Sequence, residues 1–362
     1  MIFTTSYEQI LGKVMQVNPI QYASTRNYID GAITYLSPYI SRGVISTRQV
    51  YDSLIQQGYQ ANQIEKLVQE LAWRDYWQQI WIARKAAIDQ DLRQSQSTGQ
   101  FQGIPSNIIR QQCGIEAIDQ AIVSFYETGY LHNHIRMYLA SICCNIAHCH
   151  WNIPARWMYY HLLDADWASN ALSWQWVCGT NSHKLYYANQ ENINKYTHSK
   201  QVNTFLDVSY ETLETMEIPA SLKELTIPML ETPLPQTALP SIDSTLPTLI
   251  YNYYNLDPMW KKNIAANRIL LLEPSVFQAY PVSQKSIDFC IALAKDNIPD
   301  IQVYVAEFNE LQAIATVQTI HFKEHPLNRY TGIESPRTFL SSVNGDYPSF
   351  FAFWKKVKKE LF

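Results

Sequence analysis

Between Thr128 and Asn181 the chain carries His132, Asn133, Arg136, Asp164, Asp166 and Asn170, in three helix-like stretches that are otherwise apolar. Burying polar groups at that density is costly unless something polar meets them. Two acids, a guanidinium and two amides suit a large ligand with an aromatic face and many hydrogen-bonding edges. A flavin nucleotide fits that description.

The segments that must position these groups read as helices. Apolar residues recur at three and four in QVYDSLIQQ, IEKLVQELAWRDYWQQIWIARKAAI, AIDQAIVSFYETG and IRMYLASICCNIA, and Gly129 follows YET where a helix would end. Residues 90–112 are polar and rich in Gly, Ser and Gln, which reads as a loop. From Glu217 to Pro247 six prolines exclude continuous helix and indicate an extended arm. Beyond it RILLLEP, IQVYVAEF and TIHFKEH read as short buried strands. SQKSIDFCIALAKDN is a helix between the first two, a spacing that predicts parallel pairing. The end, SFFAFWKKVKKELF, reads as a basic amphipathic helix. The expected organisation is a mainly α chain: a helical domain over 1–205, a Pro-rich linker over 206–247 and a small α/β module over 248–362.

Composition narrows the class. The 362 residues are 47% apolar and 17% charged, which supports a large core and excludes disorder. Aromatic content of 13% suits a core that also stacks on a planar ligand. No apolar run is long enough to span a bilayer, and MIFTTSYEQILGK lacks signal-peptide character. Six cysteines make no disulfide framework, so free thiols and a cytoplasmic location are expected. Net charge is -4; residues 1–205 hold 15 Lys+Arg against 14 Asp+Glu, the remainder 13 against 18. A nucleic-acid face would therefore be local.

Several motifs, in order, resemble the all-helical FAD-binding domain of DNA photolyases and cryptochromes over about Tyr22 to Asn194. The first is Tyr22 followed by DGAITYLSPYISRGVIS. The resemblance implies that Tyr22, Thr34, Leu36 and Ser37 hold the FAD diphosphate and ribityl chain, where a helix start presents amide dipoles to an anion. Taken alone, S-P-Y equally reads as an ordinary capped helix.

ELAWRDYW resembles the family's ELxWR. It implies that Glu70 hydrogen-bonds a flipped lesion, Trp73 flanks it and Arg74 meets a cofactor phosphate. Glu70 and Trp73 lie one turn apart on one helix face. YLHNHIRM resembles WMHNRxRM, which puts Asn133 and Met137 at lesion-contacting positions, His134 where dimer photolyases have Arg, and Arg136 on the flavin side. LLDADWASNALSWQW resembles LIDGDxAxNxGxWQW. Asp164 then pairs with Arg136 over the isoalloxazine, Asp166 accepts from the ring edge, Asn170 lies opposite N5, and Trp176 is the second lesion-flanking tryptophan. Asn opposite N5 is the photolyase-type choice.

Trp174 and Trp151 match two members of the family's tryptophan relay. The third falls near STGQFQG, which offers only Phe101, so Trp157, Trp167 or a tyrosine would have to substitute. HNH at 132–134 resembles a nuclease motif without its ββα-metal context. CCNIAHCH at 143–150 holds ligand types, but spreads them around one helix rather than pairing them from two elements, so no metal is expected.

Two departures concern substrate. The position of a phosphate-contacting Arg is Ala188, and His134 replaces a second cation. Lys323, Arg329, Arg337 and Lys355, Lys356, Lys358 and Lys359 would compensate if the C-terminal module lies beside the pocket. With the helical segment starting near Met1, an antenna chromophore in the family's usual position is not expected. GDYPSFFAFWKKV is nevertheless similar to the sequence that closes the antenna domain. The implied activity is that of a deoxyribodipyrimidine photolyase-like carbon–carbon lyase, FAD-dependent, acting with light on pyrimidine dimers in damaged DNA. The alternative is a cryptochrome-like blue-light sensor or redox flavoprotein without repair.

Overall fold

The computed structural model describes residues 3–182, 184–315 and 319–362. Its axis is the 24-residue helix Ala61–Arg84, about 36 Å long. Ile64, Leu67, Val68, Leu71, Ala72, Tyr76, Ile80 and Trp81 recur at helical spacing and are buried. Gln60 and Gln63 close its N-terminus by exchanging backbone and side-chain hydrogen bonds.

Three helices follow, and the first and third of them, with their N-terminal turns, carry the polar cluster. Asn133–Ser141 starts at His132, whose Nδ1 accepts from the His134 amide at 3.2 Å. It runs into a wider π turn over Ile142–Ile146. Asn152–His161 follows, and Trp167–Val177 is capped by Asp166, which accepts from the Ser169 amide at 2.8 Å. Gly129 ends the preceding helix, Glu116–Thr128, with φ 69°. A Cβ there would lie 2.7 Å from Leu163 Cγ, and the Leu163 amide donates to the Gly129 carbonyl at 2.9 Å. Only glycine permits this approach, which brings the Arg136 helix to the Asp164 loop.

The polar stretch 90–112 is more ordered than its composition suggests. Ile104–Pro105 pairs antiparallel with Leu225–Thr226, and Ser106–Ile109 forms a helical turn. The pairing partner comes from the proline-rich arm, which crosses the surface extended. Its Thr232 and Thr237 hydroxyls accept from the amides of Val282 and Val305.

The C-terminal strands form a five-stranded, all-parallel sheet. Its spatial order is Gln302–Val305, Asn267–Leu272, Thr248–Tyr251, Ile320–Lys323, Ile333–Ser335. The three strands expected from sequence are present. The central one, Thr248–Tyr251, and the edge one, Ile333–Ser335, were not foreseen. Alternation sorts the sheet's two faces. Leu249, Tyr251, Leu270 and Leu272 join the core shared with the helices, whereas Ile250, Ile269 and Leu271 join a smaller cluster with Phe308 and Leu311.

The seam between sheet and helices is sealed by side chains from both. Arg42 is fully buried, its guanidinium 3.4 Å from the Tyr253 ring centroid and 5.1 Å from that of Tyr254, while it donates to the Ala165 carbonyl. The Ser286 hydroxyl of helix Gln284–Asn297 donates to the Leu162 carbonyl at 3.2 Å. The last helix, Phe350–Leu361, lies on the long helix, burying Phe350, Phe353, Trp354 and Val357. No helix among the described residues is long and apolar enough to cross a membrane.

Candidate functional site

A cavity of about 300 Å³ opens between the long helix, the Tyr22 segment and the helices Asn133–Ser141, Asn152–His161 and Trp167–Val177. Tyr22, Thr34, Ser37, Glu70, Arg74, Asn133, His134, Arg136, Met137, Asp164, Asp166, Asn170 and Trp174 all line it. Residues singled out from positions 22 to 174 thus meet at one surface.

Its interior is an ionic cage. Arg136 Nη2 reaches both oxygens of Asp164, at 2.9 and 3.1 Å, while its Nε donates to the Leu131 carbonyl at 2.8 Å. Asp166, 3% exposed, accepts from Gln78 Nε2 at 2.8 and 2.9 Å and stands 3.5 Å from Arg74 Nη2. An unpaired buried carboxylate would be strongly destabilising, so these partners are what allow both acids to stay inside. Asn170 Nδ2 donates to the Ala155 carbonyl at 2.8 Å, which fixes its orientation.

The mouth is built from Glu70 and the Asn133 turn. Glu70 pairs with Arg26 Nη1 at 2.7 Å. Burial, with Glu70 close by, pushes the Tyr22 hydroxyl up to about 12. His132 and His134 are pushed down to about 4, chiefly by burial and then by Arg136 for His132 and by His132 and Arg26 for His134. The His134 that stands in for an arginine is therefore a neutral imidazole.

Four candidates lie elsewhere. Leu36 is 1% exposed and packs in the core, at the N-cap of the five-residue helix Ser37–Ser41. Trp73 turns away from the cavity: Phe350 covers one face, with centroids 3.7 Å apart, and Trp77 lies 5.1 Å off. Trp176 is 39% exposed beside Tyr186, outside the cavity lining. Trp151 is fully buried behind the site, its Nε1 donating to Asp91 at 2.7 Å. Its ring lies 6.4 Å from that of Trp167, whose ring in turn is 5.8 Å from Tyr280. Trp157 packs instead on Phe125, Tyr126 and His161.

Ala188 is 4% exposed, so that position offers no surface to a phosphate. Lys323 is engaged by Asp257 at 2.6 Å and Arg337 by Glu324 at 2.8 Å, which removes both as free cations. Among the described residues no group of three or more His, Cys, Asp or Glu is gathered as for a metal, and Cys143, Cys144 and Cys149 are buried thiols.

Sequence reasoning missed Arg26 and Gln78. Each sits four residues after a residue it did select, Tyr22 and Arg74, and hence one turn along the same face.

Three buried polar atoms of residues lining this cavity have no hydrogen-bond partner among the described residues: His132 Nε2, His134 Nδ1 and Ser169 Oγ. Such atoms are costly unless a ligand satisfies them. The donor set fits a flavin nucleotide: hydroxyls and Arg74 for a diphosphate, acids and amides for a heterocycle edge.

Residues 67–205 match the family model described as the FAD binding domain of DNA photolyase. The deoxyribodipyrimidine photo-lyase of Streptomyces griseus is 29% identical over 150 residues, 41% of this chain and 32% of that protein. That of Alkalihalophilus pseudofirmus is 25% identical over 155 residues, again 32% of its length. Cryptochrome-1 of Arabidopsis thaliana is 25% identical over 179 residues, 44% of this chain and 26% of its own. The chain thus spans about a third or less of these relatives. The crystal structure of a Synechocystis cryptochrome overlaps 54% of this chain and 44% of its own, at 21% identity and TM-score 0.48.

Proposed function

We propose, from the match of residues 67–205 to the FAD binding domain of DNA photolyase, that this protein binds FAD in the cavity and repairs UV-induced pyrimidine dimers with light. The observation that carries the reading is that Glu70, Asn133 and Met137 line the mouth of the same cavity whose interior holds Arg136, Asp164, Asp166 and Asn170. Lesion-type and cofactor-type residues share one space.

When bound, reduced and excited by light, the flavin supplies one electron to the dimer and recovers it, so the cycle is redox-neutral. The chain's residues do the positioning. Tyr22, Thr34, Ser37 and Arg74 hold the diphosphate and ribityl chain. Asp166, the Arg136–Asp164 pair and Asn170 would hold the heterocycle, the acid and the amide meeting its polar edges. At the mouth, Glu70 and Asn133 hydrogen-bond the base edges of a dimer flipped out of the duplex.

Two observations favour a second reading, a blue-light sensor or redox flavoprotein. Glu70 is already paired with Arg26, and Trp73 gives one face to Phe350. The deciding experiment is repair of a thymine-dimer oligonucleotide by photoreduced protein under blue light, with a dark control. Light-dependent loss of dimer supports repair. A normal flavin spectrum with intact dimer transfers the function to sensing or redox chemistry.

A further inference from the structure

The last helix, Phe350–Leu361, packs on the stretch of the long helix that carries Glu70, a residue of the cavity lining. Phe350 stacks on Trp73, and Lys358 pairs with Glu65. Eight residues separate the two contacts on each helix, in opposite senses, so the helices are antiparallel over about 12 Å. Glu70, which lines the cavity, lies between Glu65 and Trp73 on the long helix. The last helix is therefore anchored on both sides of the mouth residue.

Its inner face is spent on Phe350, Phe353, Trp354 and Val357. Its outer face carries exposed Lys355, Lys356 and Lys359, and Phe351 at 68% exposure. Lys355 and Lys359 form no ion pair among the described residues, while Arg26, Arg74 and Arg136 around the cavity are all paired. We propose that Lys355, Lys359 and Phe351 form a DNA-binding face, gripping the backbone of the strand that presents a nucleotide to the cavity.

The geometry suits that partner. Lys355 and Lys359 stand one turn apart, about 6 Å along the helix axis. That matches phosphates one or two steps apart on a strand rising about 3.4 Å per nucleotide. An exposed aromatic ring beside such lysines offers a face for an unpaired base. This face also replaces the positive charge that Ala188, Lys323 and Arg337 do not supply.

The inference rests on the repair reading for its partner, and one titration separates their failures. Binding of a thymine-dimer duplex and its undamaged counterpart is measured across salt concentrations for wild type, Lys355→Gln/Lys359→Gln and Phe351→Ala. Flavin absorbance serves as the folding control. The double variant is expected to weaken binding to both duplexes and to flatten log K against log salt by about 1.8, roughly 0.9 per lost phosphate contact. Phe351→Ala is expected to weaken binding with the slope kept. Lys355→Glu/Lys359→Glu should weaken binding further.

If wild type binds the dimer duplex and the double variant keeps its slope, the proposed face is wrong while the repair reading stands. If wild type binds neither duplex at any salt, both fall. The same lysines on an amphipathic helix would also suit an anionic bilayer. Lysine-dependent sedimentation with phosphatidylserine vesicles, alongside an unchanged DNA slope, would overturn the proposal in favour of a membrane.

Discussion

Phe350 lies flat against Trp73, ring centroids 3.7 Å apart and planes 9° from parallel. The two residues are 277 positions apart in sequence, so this stack closes the chain's end onto its central helix. Phe350 is 3% exposed. Phe350→Ala should therefore cost about 3–5 kcal/mol, the range for truncating a buried Phe. Urea denaturation followed by tryptophan fluorescence checks it; a midpoint unchanged from wild type would mean that the stack contributes little.

Glu70 is held by Arg26 at the mouth. Glu70→Gln should retain the full flavin complement yet lower dimer repair by about tenfold or more, the effect of removing one hydrogen bond to a charged group (~1.5–3 kcal/mol). Flavin-to-protein absorbance ratio and repair rate, measured on one preparation, separate the two effects. Loss of flavin in this variant would move Glu70 from the substrate to the cofactor.

Asp166 is the most heavily partnered acid of the cage. Asp166→Ala should lose the flavin altogether, because Arg74 would face the cavity without its acid and Gln78 behind it would lose its acceptor. Gln78→Leu leaves the acid but strips two of its hydrogen bonds, and should weaken flavin retention by about 1.5–3 kcal/mol, a ten- to hundredfold rise in Kd. Full flavin in purified Asp166→Ala would refute the placement of the cage.

The two imidazoles of the site predict a pH dependence. His132 and His134 sit at about 4 when folded, against 6.5 when free. Between those values the unfolded chain binds more protons, so stability falls as pH is lowered from about 6.5 to about 4 and flattens below. Melting temperatures of wild type and of His134→Asn across that interval test it. The variant should show a shallower decline, and an identical decline would remove His134 from the account.

Trp151 and Trp167 are adjacent rings, each with its indole N–H on a carboxylate, Asp91 and Asp89. Trp151→Phe and Trp167→Phe should each remove most of the light-driven reduction of oxidised flavin. Repair by chemically pre-reduced protein should persist. Equal photoreduction in the Trp167→Phe variant would exclude it as the relay's third member.

The polar cluster of the cavity was readable from its density in apolar runs, and the family resemblance added Tyr22, Thr34, Ser37, Glu70 and Arg74. Arg136 and Asp164 each belong to a run with its own spacing, and Asp166 is both a cap and a ligand candidate. The failures are failures of distance. Nothing near Trp73 announces Phe350, and nothing near Gln78 announces Arg337. Thr248–Tyr251 escaped notice because four residues following Pro247 look like the end of the arm, although they form the central strand. The π turn at Ile142–Ile146 has no breaker to mark it, and tertiary packing decides it.

Gln78 has a second partner besides Asp166. Its Oε1 accepts from Arg337 Nη1 at 2.6 Å, and Arg337 is held in turn by Glu324 at the end of a sheet strand. Whatever enters the cavity and competes for Asp166 also bears on this amide, and through it on the sheet. Coupling of that kind is reciprocal: if flavin tightens the Arg337 contact by some factor, the intact contact tightens flavin by the same factor. Arg337→Met should leave every flavin ligand in place while removing this contact, so flavin Kd in that variant measures how far the C-terminal module bears on the cavity.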